Sequence, residues 1–385
     1  MNFFGISTPN IEESRDTDDS GMRAAYYQRI GDESVLEFTN CMKRPDLKEN
    51  QVMIKVLASS VNPVDLKLRE NSMPEFFRPF PKVIGTDLCG VVLQRGSKVS
   101  DKFRLGDKVF ALLPYVLTGW GTACEYVVAD EDHIAVAPNN VSAVESASLP
   151  LVSLTVVQAL QPFVAYHHGN TGGRSVLIQA GAGGLGTFAI QYCKSVLGMK
   201  VYATCSDRNI EFLKELGADV IIDYNKERFE DEAVGMDVVF DPMAYMYETR
   251  TFNSDVLKKQ GSFYINIPSS FNALTPSYID PLRLAVPEAA PHRMVLGYGS
   301  MLVRNVLARV GFSVAQYGFA YVHPDGATLA QVAMLVKAGR VRPVVEEENV
   351  FPLERAAAAH EKVKLGHVRG KVVLEVVKEQ HVGSG

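Results

Sequence analysis

The sequence predicts an α/β protein with two parts, a barrel-like β domain and a doubly wound parallel sheet. Residues 22 to about 150 contain short apolar runs separated by glycine turns, which is typical of a barrel-like β domain. From about residue 151, helical periodicity alternates with strand-like runs, which predicts a parallel sheet with helices on both faces. At 385 residues the chain is long enough for two sizeable cores.

The strands predicted in the first part lie at Gln51 to Leu57, Val83 to Ile84, Gly90 to Leu93, Gly106 to Phe110 and Gly121 to Val128. Glycines beside these runs mark the turns between them.

The second part contains a glycine pattern, Gly181-x-Gly183-x-x-Gly186, directly after the apolar run Ser175 to Gln179. Apolar residues then recur at helical spacing, so the order is strand, tight turn and helix. This is the order of a dinucleotide-binding unit, in which one glycine makes the turn, one lets the backbone approach the pyrophosphate and one allows close helix packing. The helix N-terminus then faces the phosphates. The predicted cofactor loop contains Gly181, Gly183, Gly184, Leu185 and Gly186.

The elements that follow support this interpretation against a merely structural glycine turn. A second strand is predicted at Lys200 to Cys205, a helix from Ile210 that Gly217 ends, and a third strand at Val220 to Ile222. Later strands are predicted at Asp237 to Phe240, at Gly261 to Ile265, near Val344 and at Lys371 to Val377. Later helices are predicted at Leu329 to Lys337 and at Leu353 to Leu365. The segment Pro268 to Pro291 carries five prolines and predicts a long loop, either a substrate lid or subunit contact or a plain surface insertion.

The end of the second strand predicts which nucleotide binds. NAD-specific sites place an Asp or Glu there to bond the ribose 2′-hydroxyl, whereas this chain has Cys205 and Ser206, with Arg208 just beyond. A hydroxyl and a guanidinium would hold a 2′-phosphate that a carboxylate would repel, which favours NADPH. The alternative is that Arg208 is a solvated helix-start residue and Asp207 bonds the ribose.

Composition excludes several functional classes. A net charge of −5 without a Lys/Arg-rich block argues against nucleic acid as the main partner. The five cysteines are scattered without a C-x-x-C pair, so neither a disulfide framework nor a zinc lobe is predicted. Residues 1–21 are acidic and lack the apolar core of a secretion signal, and residues 294–314 are interrupted by Arg304 and Arg309. We therefore expect a disordered acidic tail, no membrane anchor and a cytoplasmic location.

Further motifs, in a fixed order and spacing, point to a family. They are Ala58 to Asp65, Gly85 to Gly90, Leu105 to Phe110, Leu216 to Asp219 with Ile222 to Tyr224, and His367 to Lys371. Together they resemble the zinc-free quinone oxidoreductase branch of the medium-chain dehydrogenase/reductase superfamily, over nearly all of residues 22 to 378. The segments Leu335 to Pro343 and His360 to Lys371 are especially similar to reticulon-interacting oxidoreductases of mitochondria and to plant quinone and alkenal reductases.

The resemblance implies a domain arrangement and a reaction. It implies a GroES-like catalytic domain of residues 22–150 and 323–380, a Rossmann domain of residues 151–322 that binds NADPH, and a homodimer. The implied reaction is hydride transfer from NADPH to a small planar quinone or an enal or enone. The rival hypotheses are an NADPH-binding regulatory or nucleic-acid-binding protein with little turnover, and a zinc-dependent alcohol dehydrogenase.

Side-chain chemistry argues against zinc. Zinc-dependent relatives have a Cys ligand where this chain has Asn62, and Gly-His-Glu where it has Gly85, Thr86 and Asp87. Amide and hydroxyl groups are poor zinc ligands, so hydrogen-bond donors must meet the charge that develops on the substrate carbonyl. Asn62 is the first candidate donor and Lys67 the second; the alternatives are a turn cap for Asn62 and an exposed charge for Lys67.

Three further residues match cofactor-side positions of the family. Thr155 matches a position near the nicotinamide carboxamide, or else its hydroxyl bonds its own helix backbone. Tyr224 matches a position beside the 2′-phosphate, or else it is a packed aromatic. Lys371 matches a cofactor-side lysine, or else it is a solvated charge at a strand end. After the fourth strand the family commonly shows Asp-x-Val-Gly-Gly, where this chain has Asp241 to Tyr245, so its nicotinamide-side loop is expected to differ.

Overall fold

The computed structural model describes residues 21–70, 80–114, 120–243, 247–267, 315–319 and 322–377. The predicted acidic tail, apart from Gly21, and the proline-rich segment lie outside these residues.

Strands of the described chain form three sheets. Those before residue 140 are β1 (Met22–Tyr27), β2 (Leu36–Met42), β3 (Gln51–Val61), β4 (Lys82–Val83), β5 (Asp87–Arg95), β6 (Lys108–Leu112), β7 (Tyr126–Asp130) and β8 (Ile134–Val136). Those after it are β9 (Ser175–Ile178), β10 (Lys200–Cys205), β11 (Val220–Asp223), β12 (Val238–Asp241), β13 (Phe263–Asn266), β14 (Gln316–Phe319), β15 (Val350–Pro352) and β16 (Val372–Glu375).

The helices of the described chain are α1 (Pro63–Arg69), α2 (Ala143–Ala147), α3 (Pro150–Tyr166), α4 (Gly184–Ser195), α5 (Ile210–Leu216), α6 (Phe229–Glu232), α7 (Glu248–Phe252), α8 (Gly326–Lys337) and α9 (Ala356–Leu365). Helix α5 ends at Gly217, whose φ of +103° is a left-handed conformation that glycine adopts without strain.

The β-rich part is organised around the long strand β3. In a seven-stranded sheet of order β15-β16-β3-β5-β6-β8, β7 also pairs with β3, and a separate sheet has the order β2-β1-β4. Along β3, the fully buried residues Val52, Ile54, Val56 and Ala58 alternate with partly exposed ones, as the two-residue period of a strand requires. Strand β16, near the C-terminus, pairs antiparallel with β3 and so returns the chain to this sheet.

The middle of the chain forms a six-stranded parallel sheet of order β11-β10-β9-β12-β13-β14. The direction of strand succession reverses between the neighbours β9 and β12. In doubly wound sheets, ligands bind in the crevice at the carboxyl ends of the strands beside such a reversal. The predicted fold class is confirmed, and the reversal places the ligand crevice between the loops that follow β9 and β12.

Candidate functional site

The loop between β9 and α4 has the shape of a phosphate cradle. A Cβ on Gly186 would lie 2.4 Å from Ala180 O, and a Cβ on Gly181 would lie 2.7 Å from the Leu213 side chain, so both glycines permit close packing. A Cβ on Gly183 would instead meet only Ala180 O, at 3.5 Å. The space beside Gly183 is therefore open to a ligand.

The turn itself is made differently from the sequence expectation. The positive φ of the loop, +53°, belongs to Ala180, whereas Gly181, Gly183, Gly184 and Gly186 have ordinary backbone conformations. Gly181, Gly184 and Gly186 are therefore required for close approach and not for backbone freedom.

The N-terminus of α4 is ready to receive an anion. Gly183 is the N-cap residue and provides no side-chain cap to the first turn. The N–H groups of this turn and the helix dipole therefore favour a phosphate. Leu185, in the same turn, is partly buried and packs against the core. These features fit the pyrophosphate of a dinucleotide.

The turn after β10 brings together the residues predicted to recognise the 2′-phosphate and the alternative ribose ligand, Asp207. Ser206 is partly buried, while Arg208 is exposed and its Nη2 donates to His367 O at 3.1 Å. Tyr224 is 47% exposed, and its backbone N donates to Cys205 O at 3.1 Å, which places it beside this turn. Asp207 accepts a hydrogen bond from its neighbour, Arg208 N, at 2.7 Å.

A buried polar network joins the cofactor loop to Asn62. Lys371 Nζ donates to Asn62 Oδ1 at 2.6 Å and to Ser60 Oγ at 2.8 Å, and lies 3.6 Å from Asp87 Oδ2. The aliphatic stem of the same lysine packs on the loop, because a Cβ on Gly184 would lie 2.6 Å from Lys371 Cδ. One side chain thus spans the distance between the cofactor loop and Asn62. Burial lowers the pKa of Lys371 below its usual range, although the charge of Asp87 opposes this effect.

The amide of Asn62 is fully engaged in this network. Its Nδ2 donates to Asp87 Oδ2 at 2.8 Å and to Thr86 Oγ1 at 3.1 Å, and the residue is only 1% exposed. Asp87 also accepts from Leu151 N, at 2.8 Å, in the first turn of α3, where a carboxylate is favoured by the helix dipole. The side chain of Asn62 therefore connects Lys371, Thr86 and Asp87 by hydrogen bonds, in addition to being a candidate donor to the substrate.

Asp65 lies directly behind Asn62. Its Oδ2 accepts a hydrogen bond from Asn62 N at 2.7 Å, and the residue is 2% exposed. Burial raises the pKa of Asp65 to about 7, and the nearby charge of Asp87 adds to this effect. A carboxylic acid with this pKa carries its proton over part of the neutral range.

Lys67 and Thr155 lie outside this network. Lys67 is half-buried on α1, and within the described ranges it has neither a hydrogen bond nor an ion pair. Burial lowers the pKa of Lys67 to about 8. Thr155 is buried on α3, where its Oγ1 donates to Leu151 O at 2.7 Å, the local bond that the sequence analysis left open as an alternative.

Sequence reasoning missed several partners in the site. Ser60, Asp87 and Arg369 lie within the family motifs, but the motifs assigned them no role in binding or catalysis, and only the folded structure brings Ser60 and Asp87 to Lys371 and Asn62.

Comparisons with known proteins agree with this geometry. One family model, described as an alcohol dehydrogenase GroES-like domain, matches residues 48–139, and another, described as a zinc-binding dehydrogenase, matches residues 216–374. The fold and the site thus define an oxidoreductase with a GroES-like domain and a parallel-sheet Rossmann domain. The chain belongs to the medium-chain dehydrogenase/reductase superfamily, among its quinone-oxidoreductase-like members, as predicted.

Individual relatives are similar over most of their length. The mitochondrial NAD(P)H oxidoreductase RTN4IP1 of Mus musculus is 33% identical, covering 97% of this chain and 93% of that protein. The chloroplastic NADPH-dependent alkenal/one oxidoreductase of Arabidopsis thaliana is 32% identical, and the match covers 92% of this chain and 79% of that protein. A solved structure, the quinone oxidoreductase of Coxiella burnetii, has a TM-score of 0.73 at 28% identity, covering 92% of this chain and 99% of that one.

The expected cytoplasmic location is wrong. RTN4IP1 is named as mitochondrial and the alkenal/one oxidoreductase as chloroplastic, which argues against it. The expectation depended on charge and hydropathy, and relatives in different organelles share this fold, so neither property reports the compartment. None of the helices in the described part of the chain is long and apolar enough to cross a membrane.

Proposed function

We propose that this protein is a zinc-independent, NADPH-dependent reductase of quinones or α,β-unsaturated carbonyl compounds. The observation that carries the proposal is the Lys371 side chain, which packs on the cofactor loop and bonds Asn62. Through this one lysine side chain, Asn62, a proposed catalytic residue, is connected to the loop Gly181 to Gly186, the proposed phosphate cradle. The names of the relatives, an alkenal/one oxidoreductase and a quinone oxidoreductase, support the substrate class.

The cofactor is proposed to bind across the crevice at the β9–β12 reversal. Its pyrophosphate would lie in the open space at Gly183, against the uncapped first turn of α4. Its 2′-phosphate would meet Ser206 and Arg208, with Tyr224 beside them. Lys371 and Thr155 would lie on the nicotinamide side. When bound, NADPH supplies the hydride.

The preference for NADPH has a direct test. A charge-assisted hydrogen bond to phosphate contributes about 1.5 to 3 kcal/mol, which is roughly a tenfold to hundredfold preference. Arg208→Ala should remove most of this preference in calorimetric titrations with NADPH and NADH. Equal affinities in the unsubstituted protein would refute NADPH selectivity and favour Asp207 as a ribose ligand.

The charges around Asn62 support the proposed zinc independence. In zinc-dependent relatives, metal ligands occupy the positions of Asn62 and of the Gly85 to Asp87 segment. Here an ammonium group, Lys371 Nζ, lies 2.6 Å from Asn62 Oδ1 and 3.6 Å from Asp87 Oδ2. A divalent cation at that position would be repelled by the lysine and would have to displace it.

The charge on the reduced substrate must be met by a protein donor. Asn62 can provide one only by giving up a bond to Asp87 or Thr86, because both of its N–H groups are in use. Lys67 has no such competitor in the described chain, and with a pKa of about 8 it can release a proton near neutral pH. We therefore propose Lys67 as the proton donor. Asn62 is a second hydrogen-bond donor, which reaches the substrate only when it releases its bond to Asp87 or Thr86.

The experiment measures NADPH oxidation against a panel of quinones, enals and enones, with and without a metal chelator. We expect turnover with conjugated carbonyls and no loss on chelation. Tight NADPH binding without oxidation of any substrate would favour the alternative, a regulatory protein that has kept the fold. Loss of activity on chelation, with recovery on adding zinc, would refute zinc independence.

A further inference from the structure

The C-terminal segment that leads into β16 is hydrogen-bonded to the turn after β10. Arg369 Nη2 donates to Arg208 O at 2.7 Å, and Arg369 Nε donates to Asn209 Oδ1 at 2.6 Å. The guanidinium also lies 5.5 Å from the centroid of the Phe212 ring. Two of its donor groups are thus committed to this turn.

These bonds determine the orientation of the Asn209 amide. A guanidinium has no acceptor, so the Asn209 atom that faces Arg369 must be the carbonyl oxygen. The amide NH2 group then faces Ser206, and Asn209 Nδ2 donates to Ser206 Oγ at 3.3 Å. Asn209 is 5% exposed, so water has little access to this arrangement.

The orientation passes on to the Ser206 hydroxyl. Since its oxygen accepts from Asn209, its hydrogen is left to donate away from the turn. Within the described residues, Ser206 Oγ has no other hydrogen-bond partner. A phosphate at neutral pH only accepts hydrogen bonds at its anionic oxygens, whereas a ribose hydroxyl both donates and accepts. A hydroxyl whose hydrogen is free to donate, and whose oxygen already accepts one bond from Asn209, therefore suits a phosphate better than a ribose hydroxyl.

We propose that Arg369 is a positioning residue for 2′-phosphate recognition, acting through Asn209 on Ser206 and through the backbone of Arg208. This inference rests on the proposed NADPH binding and extends it to a residue of the C-terminal segment. It assigns to Arg369 a role in cofactor choice and none in hydride transfer.

The test is calorimetric measurement of the NADPH and NADH dissociation constants of Arg369→Met. NADPH affinity should fall about tenfold, and NADH affinity should change less than about twofold. Arg369→Lys should behave like Arg369→Met, because a single ammonium cannot reproduce two bonds from a planar fork. Glu346→Gln is the matched control: it removes the carboxylate 3.6 Å from Arg369 Nη1 and leaves both hydrogen bonds, so the NADPH/NADH ratio should not change.

A double-variant cycle separates this role from a merely structural one. If Arg369 acts through Ser206, Arg369→Met in a Ser206→Ala background should lower the NADPH/NADH ratio by less than it does alone. Equal losses for both cofactors, full additivity, or an unchanged ratio would each overturn the inference while leaving NADPH selectivity intact. An unsubstituted protein without any NADPH preference would overturn the proposed cofactor and this inference together.

Discussion

Two glycines of the cofactor loop, three residues apart, should differ in what the same substitution to valine damages: NADPH binding at Gly183 and the fold at Gly186. At Gly183 the backbone has φ −76° and ψ 173°, which valine adopts readily, and a Cβ there would meet only Ala180 O at 3.5 Å. Valine is a poorer N-cap than glycine by roughly 1 kcal/mol, but it also reduces the entropy of the unfolded chain by about 0.4 to 1 kcal/mol. The net change in the free energy of unfolding of Gly183→Val should therefore be within about 1 kcal/mol.

NADPH binding, by contrast, should be strongly weakened in Gly183→Val. The valine methyl groups would fill the space proposed for the pyrophosphate, so NADPH affinity should fall at least about a hundredfold, which corresponds to roughly 2.7 kcal/mol. Gly186→Val is the matched control, because its Cβ would lie 2.4 Å from backbone oxygen and the fold itself must shift. Thermal unfolding and calorimetric NADPH titration of both variants form the assay. A folded Gly183→Val protein that retains NADPH affinity would refute the cradle.

Two pH effects follow from the perturbed side chains. Because Lys67 is proposed to give a proton, turnover should fall as the pH rises through about 8. Lys67→Met should lower turnover about tenfold or more and abolish this decrease in the pH–rate profile. An unchanged profile would remove Lys67 from the mechanism. Burial raises the pKa of Asp65 in the folded protein to about 7, so its contribution to stability is present below about pH 4 and is lost as the pH rises to about 7. Asp65→Asn should therefore flatten the dependence of the melting temperature on pH between about pH 4 and 7. An equally steep dependence in this variant would contradict the raised pKa.

The strands and helices with strong periodicity were predictable from sequence. β10 (Lys200–Cys205) and the helix that Gly217 ends were predicted with their exact or near-exact bounds, because a short apolar run and a left-handed glycine are local signals. β14 (Gln316–Phe319) was not predicted, since an edge strand of four residues has little pattern of its own. Its place is set by pairing with β13.

The candidate site was predictable only in part. Glycine spacing indicated the cradle, because close backbone approach leaves no alternative residue type at Gly186. The commitment of both Asn62 donors could not be predicted, since it depends on Thr86 and Asp87, which are distant in sequence. The link between Arg369 and Asn209 is likewise a contact across 160 residues. Such side-chain bonds are decided by tertiary packing and leave no periodic signal in the sequence.

The most direct test of the central claim is isotope transfer from NADPH deuterated at the hydride position of its nicotinamide ring to a simple enone. The account predicts a saturated ketone that carries one deuterium at the former β-carbon, detected by mass spectrometry and NMR, in the presence of a chelator. Deuterium at the carbonyl carbon of an alcohol product, or consumption of NADPH without deuterium in the product, would contradict it.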